Sequence, residues 1–281
     1  MYAAASMVCI QVGLAVSVGL LDRIDAAGVA WLRLAWSAVV LAVLIRPRRV
    51  DVTLTNVLLG VATAGLLLTF MGAVARLPMG TATALEFLGP LGVAVAHGRG
   101  RARIVAPALA GVGVVLLTNP WAGMPDPLGV VLALSAAAFW AAYILLTQRA
   151  GDEGAGFRPL AVSFPVAAVV ATGVVLLMSP GSLVSMDVGL LAFGAVLAVL
   201  MTVIPFSFEL LALRRLPTSV FGVLMALEPA LACVVGAVLL SQDLGVGAVT
   251  GVALVVLAGV IAERTHAPVA APVAVLEHVP G

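Results

Sequence analysis

Lysine is missing altogether: all 14 basic residues among the 281 are arginine. Charge of either sign is scarce, at 10% of residues with a net of +1. So even a balance gives no ground for a nucleic-acid partner. Cysteine occurs twice, as Cys9 and Cys233, each inside an apolar run. Two scattered cysteines make neither a disulfide framework nor a thiolate metal site, so no metal is expected. No Gly-rich phosphate loop, HExxH or G-x-S-x-G occurs, so soluble-enzyme motifs lend no support to catalysis and no cofactor is expected. Alternating ten-residue segments are also missing, which excludes a membrane β-barrel.

What the chain has in abundance is apolar side chain, 63% of residues with a mean hydropathy of +1.23. A water-soluble domain of this size cannot hide that much apolar surface, so an all-α integral membrane protein is expected. A span needs roughly 20 apolar residues. Six segments have that length without a charge: 1–21, 52–75, 104–125, 127–148, 159–186 and 244–262. Four more carry one charge each: 26–45 with Arg33, 77–98 with Glu86, 188–213 with Glu209 and 216–242 with Glu228. Ten transmembrane helices are therefore expected. The N-terminus reads as a first spanning helix and not as a removed signal peptide. The tail at 263–281, rich in Ala, Pro and Val, reads as a disordered cytoplasmic segment.

Arginine predicts the orientation. With the N-terminus in the cytoplasm, the inner loops hold Arg46, Arg48, Arg49, Arg99, Arg101, Arg103, Arg149, Arg158, Arg214, Arg215 and Arg264. The outer loops hold only Arg23 and Arg76. This positive-inside bias places both termini in the cytoplasm. A short internal repeat points the same way. Arg76-Leu77-Pro78 recurs as Arg215-Leu216-Pro217, and the same shift carries Pro90 onto Pro229. Two repeats of five helices each, at 1–125 and 126–262, must be inserted in opposite senses. Inverted repeats are a transporter architecture with a site near the membrane midplane.

Glu86 and Glu228 are the foremost candidate site residues. Each interrupts an apolar run and lies close to a proline, Pro90 or Pro229. Counting from Pro78 and Pro217 at 1.5 Å per residue puts them about 12 and about 17 Å into the bilayer, from opposite faces. Both then approach the middle of a core roughly 30 Å thick. Polar groups at such depth usually mark a pathway. The functional reading is an acid pair that binds protons and a substrate cation; the structural one is an acid hydrogen-bonded to a neighbouring helix. Pro90 removes the donor to the Glu86 carbonyl and Pro229 the donor to that of Met225, leaving free carbonyls for an ammonium group. Gly89 and Gly92 read as positions of close helix packing, and Gly247 and Gly251 as a GxxxG packing motif.

Arg33 is a candidate for a substrate carboxylate, or else snorkels to the interface. Glu209 reads as an interfacial acid near Arg214 and Arg215, with Pro205 kinking its helix one turn earlier, which leaves a gating role open. Gln11 is a polar residue in an apolar span. Trp140 and Tyr143, three apart, share a helix face and read as aromatic packing or as a wall for a small ligand.

Several stretches are familiar as a set: Ile10-Gln11-Val12-Gly13, Ala84-Leu85-Glu86-Phe87-Leu88-Gly89-Pro90-Leu91 and Phe139-Trp140-Ala141-Ala142-Tyr143-Ile144-Leu145. Gln148-Arg149-Ala150-Gly151, Phe208-Glu209, Arg215-Leu216-Pro217-Thr218 and the run Phe221 through Leu231 complete it. With these the chain resembles the EamA-type branch of the drug/metabolite transporter superfamily, and most closely the bacterial threonine/homoserine exporters. The resemblance implies two inverted five-helix repeats in the cytoplasmic membrane. It also implies alternating access and export of a small amino acid or metabolite, coupled to protons. A broad-specificity metabolite or drug exporter is the alternative. The chain starts almost inside its first helix, where those exporters usually have a short polar lead.

Overall fold

The computed structural model describes residues 2–45, 52–97, 101–118, 126–152, 158–184, 186–205, 226–243 and 245–264. Every regular element among the described residues is helical. The helix α1 covers Tyr2–Gly19 and continues into a 3-10 turn, Leu20–Asp22; α2 is Ala26–Ile45 and α3 is Leu54–Val74. Two short helices follow, α4 at Met79–Glu86 and α5 at Leu88–His97, and then α6 at Ala102–Thr118. Next come α7 at Pro127–Asp152, α8 at Arg158–Met178, the short α9 at Pro180–Val184 and α10 at Val188–Ala198, which runs into a π turn at Val199–Val203. The last two are α11 at Glu228–Leu239 and α12 at Val246–Arg264.

Many of these helices are rich in Val, a modest helix former in water. In hydrocarbon, backbone N–H and C=O groups have no outside partner, so the chain must close its hydrogen bonds within each helix. Six stretches are long and apolar enough to cross a membrane: Ala5–Asp22, Ala26–Ile45, Leu54–Val74, Met79–Ala96, Pro127–Ala150 and Pro159–Met178. Four shorter apolar ones, Ile104–Leu117, Val188–Met201, Glu228–Leu239 and Val246–Ala262, fall where the other spans are expected. The outer surface is apolar, with Leu177 at 87%, Val238 at 73% and Val43 at 68% exposure. A soluble protein rarely presents such a surface, whereas lipid tails match it.

Three expected spans depart from a simple rod. The span at 77–98 is interrupted at Phe87, because Pro90 cannot donate to the Glu86 carbonyl. The span at 159–186 ends at Met178, and Pro180 starts the separate α9. The break expected at Pro205 takes the form of the π turn just before it, which accommodates the missing proline N–H by widening the helix. At the far end α12 continues through Arg264, two residues into the segment 263–281 expected as a tail; residues 265–281 lie outside the described set.

The helices pack through small residues. A Cβ on Gly251 of the expected GxxxG pair would stand 2.7 Å from the Gly113 carbonyl, so α12 lies backbone-close on α6. Gly89 likewise abuts the Ala137 carbonyl of α7, whereas a Cβ on Gly92 would meet nothing within 4 Å among the described residues. In the bundle Trp31 Nε1 donates to Thr172 Oγ1 at 2.7 Å, joining α2 to α8.

Polar residues at the helix ends supply caps and ties. Thr53 Oγ1 accepts from the Asn56 N–H at 3.2 Å and Asp187 Oδ1 from that of Leu190 at 2.6 Å. Asp25 Oδ1 accepts from the Gly28 N–H and from Ser182 Oγ, both at 2.7 Å, so one carboxylate caps α2 and holds α9. Exposed ion pairs join Arg23 to Asp187 at 2.9 Å and Arg76 to Asp126 at 2.8 Å. Such exposed pairs add little to stability.

Partial burial acts to raise the Asp25 pKa, but hydrogen bonds from Ser179, Gly28 and Ser182 outweigh it and hold the group below its ordinary value. A depressed carboxylate contributes stability that is present above its unfolded pKa and lost as pH falls through the folded one. Asp25→Ala is expected to lower stability by about 1 kcal/mol at neutral pH, the usual worth of a cap. The gap from wild type should close as pH drops from about 3.9 through the lower folded value. Thermal unfolding of the detergent-solubilised proteins across pH 2–7 checks both points.

Candidate functional site

The two short helices that carry the acids are locally specified. α4 stops at Glu86 because Pro90 withholds a donor from its carbonyl. α11 starts at Glu228 with Pro229 beside it in the first turn, a position where the missing proline N–H costs nothing. One acid thus ends a helix and the other begins one. The Met225 carbonyl, also expected to be freed, lies outside the described residues.

The same two helices cross closely. A Cβ on Gly80 would collide with Cys233 Sγ, so only glycine permits the approach of α4 to α11. Just beyond α11, Gln242 Oε1 accepts from the Met79 N–H at 2.9 Å. Pro78 precedes α4 and has no side chain that can cap it, so Gln242 supplies the acceptor from 163 residues away. On the other side of α11, Gln11 Nε2 of α1 donates to Glu228 Oε1 at 3.2 Å.

These contacts enclose a cavity of about 250 Å³. Its polar wall is made by Gln11 of α1, Arg33 of α2, Thr63 of α3, Thr83 and Glu86 of α4 and Glu228 of α11. Trp140 and Tyr143 of α7 form an aromatic side with Phe70 and Phe164, and Met201 of the π turn closes another. Glu86 is 7% exposed and Gln11 1%. Glu86 feels both Glu228 and Arg33 electrostatically. Arg33 Nη1 contacts Met71 Sδ at 3.5 Å and, among the described residues, forms no ion pair within 4.0 Å.

Six of the residues singled out from sequence therefore line one cavity: Gln11, Arg33, Glu86, Trp140, Tyr143 and Glu228. Gly89, Pro90 and Pro229 shape its helices, and Gly89 does so by packing α5 on α7. Pro205 is buried and its carbonyl accepts from Ser6 Oγ at 3.3 Å, away from the cavity wall. Glu209 lies outside the described residues. Sequence reasoning missed Thr83 and Met201. Thr83 was detectable, being three residues before Glu86 on the same helix face.

A larger groove of about 830 Å³ runs along α3, α7 and α8. Its polar groups are already engaged: Thr69 with the Gly65 carbonyl, Arg76 with Asp126, and Asp25 with Ser179 and Ser182. In the central cavity, by contrast, Gln11 Oε1 and Thr83 Oγ1 are buried without a hydrogen-bond partner among the described residues. A buried polar group without a partner is costly, so unfilled capacity of this kind points to a ligand or water.

Comparison with known proteins adds relatives. Residues 127–262 match the model of the EamA-like transporter family. The threonine/homoserine exporters RhtA of Salmonella typhimurium and of Escherichia coli K12 are each 35% identical over 263 residues, covering 92% of this chain and 86% of theirs. A solved crystal structure shares the fold with a TM-score of 0.64, at 16% identity, over 94% of this chain and 96% of its own.

The crossing of α4 and α11 generates a direct test. Gly80→Leu is expected to cost about 1–3 kcal/mol by overpacking. Gly92→Ala, whose Cβ meets none of the described residues, should be neutral or stabilising by up to about 1 kcal/mol. Melting temperatures of the purified variants check the contrast.

Proposed function

The chain belongs to the EamA-like transporter family, and from that premise we propose that it exports a small amino acid of the threonine or homoserine kind from the cytoplasm. Its family and relatives are transporters, not enzymes. The observation that carries the substrate class is a single cavity holding two acids and one arginine. An amino acid offers the complement: its ammonium goes to Glu86 and Glu228, its carboxylate to Arg33. The C-terminal end of α4, where Glu86 stands, favours a cation through the helix dipole. A cavity of about 250 Å³ is below the roughly 300–1,000 Å³ of sites for drug-sized ligands. That favours an amino acid over the alternative of a broad drug exporter.

In this reading proton and ammonium compete for the same carboxylates. Exclusive occupancy couples the two fluxes, since the protein returns outward-facing only with substrate and inward-facing only with a proton. The architecture is ten helices in two inverted repeats, 1–125 and 126–262. Support comes from which helices touch. Counterparts pack on each other, α2 on α8, α4 on α11 and α6 on α12. Non-equivalent contacts occur in matched pairs: α3 with α7 mirrors the π turn with α1, and α3 with α8 mirrors α10 with α2. The ties Arg23–Asp187, Arg76–Asp126, Asp25–Ser182 and Met79–Gln242 join the loops after the odd-numbered spans, as one shared outer face requires. Both termini are then cytoplasmic in a multi-pass protein of the cytoplasmic membrane. Trp140 and Tyr143 close the side of the site, and Glu209 with Pro205 is assigned to gating.

Efflux of radiolabelled threonine from loaded cells tests this. Glu86→Gln and Glu228→Gln are each expected to slow efflux about tenfold or more, the worth of one charge-assisted contact. A protonophore should stop wild-type efflux. Normal rates in both variants, at normal membrane levels, would remove the acids from the mechanism. Protection against cationic dyes but not against amino acids would favour the broad exporter.

A further inference from the structure

We propose that the Thr83 hydroxyl and the Gln11 carboxamide oxygen form a hydroxyl-reading pair in the central cavity, selecting amino acids with a hydroxylated side chain over apolar ones of equal size. This rests on the export reading above and deepens it.

The first observation is a departure from what six other helical hydroxyls of the bundle do. Hydroxyls in apolar helices usually donate to the carbonyl four residues back. Ser17, Thr63, Thr69, Ser135, Thr172 and Thr250 all do so, at 2.6–2.8 Å. Thr83 has the Met79 carbonyl at the same offset in α4, yet its hydroxyl has no partner among the described residues. At 2% exposure it has no bulk water either. Thr83 is a residue of the cavity wall, and its hydroxyl is not spent on its own helix.

The second observation concerns Gln11. Its Nε2 donates to Glu228 Oε1, and a carboxylate ionised to hold the substrate ammonium only accepts, so the substrate-bound state keeps this amide orientation. The amide oxygen is buried and without a partner among the described residues, on a side chain that lines the same cavity. The cavity therefore presents a pure acceptor at Gln11 and a hydroxyl at Thr83 that can donate. A substrate hydroxyl donates and accepts, so it satisfies both at once; a carboxylate cannot donate and an ammonium cannot accept. With the ammonium assigned to the two acids and the carboxylate to Arg33, the side-chain hydroxyl is the group left for this pair. A methyl in its place would leave both polar atoms unpaired, the situation in which sites reject an analogue most strongly.

The test compares isosteres. Proteoliposomes loaded with threonine or valine, and with homoserine or norvaline, report efflux for wild type, Thr83→Val, Thr83→Ser and Gln11→Met. Wild type is expected to favour each hydroxylated partner by about tenfold or more, one unmade buried hydrogen bond. Thr83→Val should erase most of that ratio by slowing the hydroxylated substrates alone, and Thr83→Ser should keep it. Should Thr83→Val fail to insert, the ratio in Gln11→Met decides, and it too should fall. An unchanged ratio means the pair holds only water, and an equal loss for both members of a couple means it holds the ammonium; either overturns the proposal. Wild type moving none of the four amino acids would instead overturn the export reading itself, and this inference with it.

Discussion

An ionisable side chain in an apolar helix is tolerable only where other polar groups face it. Here that constraint falls on Glu86, Glu228 and Arg33, and it draws the helices that carry them to one place. α4 and α11 cross where Gly80 admits Cys233, and α1 reaches across with Gln11 to the second acid. Breaking the helices at the acids is part of the same solution. Pro90 and Pro229 put helix ends, with their free backbone groups, beside the carboxylates. A continuous helix would bury its own carbonyls and offer a cation nothing but side chains.

The cavity that results is small, and its surroundings are tight. Glycine lets α5 lie on α7 and α12 on α6 with backbone atoms nearly in contact. In lipid there is no hydrophobic drive between helices, so this close packing and a few interhelical hydrogen bonds supply the cohesion. Among the described residues, Asp25, Asp126 and Asp187 each hold a helix start. The described polar groups thus include satisfied caps at helix ends and a central pocket with hydrogen-bonding capacity to spare.

That spare capacity separates the pocket from the larger groove along α3, α7 and α8. Volume alone favours the groove. Chemistry favours the pocket, because the groove's acid and arginine are already bonded while Gln11 Oε1 and Thr83 Oγ1 have no partner among the described residues. The π turn at Val199–Val203 brings Met201 into the wall, and Met201 also presses on Gly13 and the Ser17 hydroxyl. A widened helical turn of this kind is often found at functional sites.

By itself the sequence determined the class of the protein, the places of its apolar spans and the two acid-proline pairs. These are local quantities: hydropathy summed over a window, a charge inside it, and a proline at a fixed offset from a carbonyl. Only the tertiary structure decided which polar groups meet. Gln11 finds Glu228 across 217 residues and Met79 finds Gln242 across 163, separations at which no local pattern carries information. It also decided that Arg33 rests on a methionine sulfur and that a Cβ on Gly92 would meet nothing among the described residues. The outcome for Thr83 belongs there too. Its spacing from Glu86 could be counted in the chain, but whether its hydroxyl turns to its own helix or into the cavity depends on which neighbouring helices surround it.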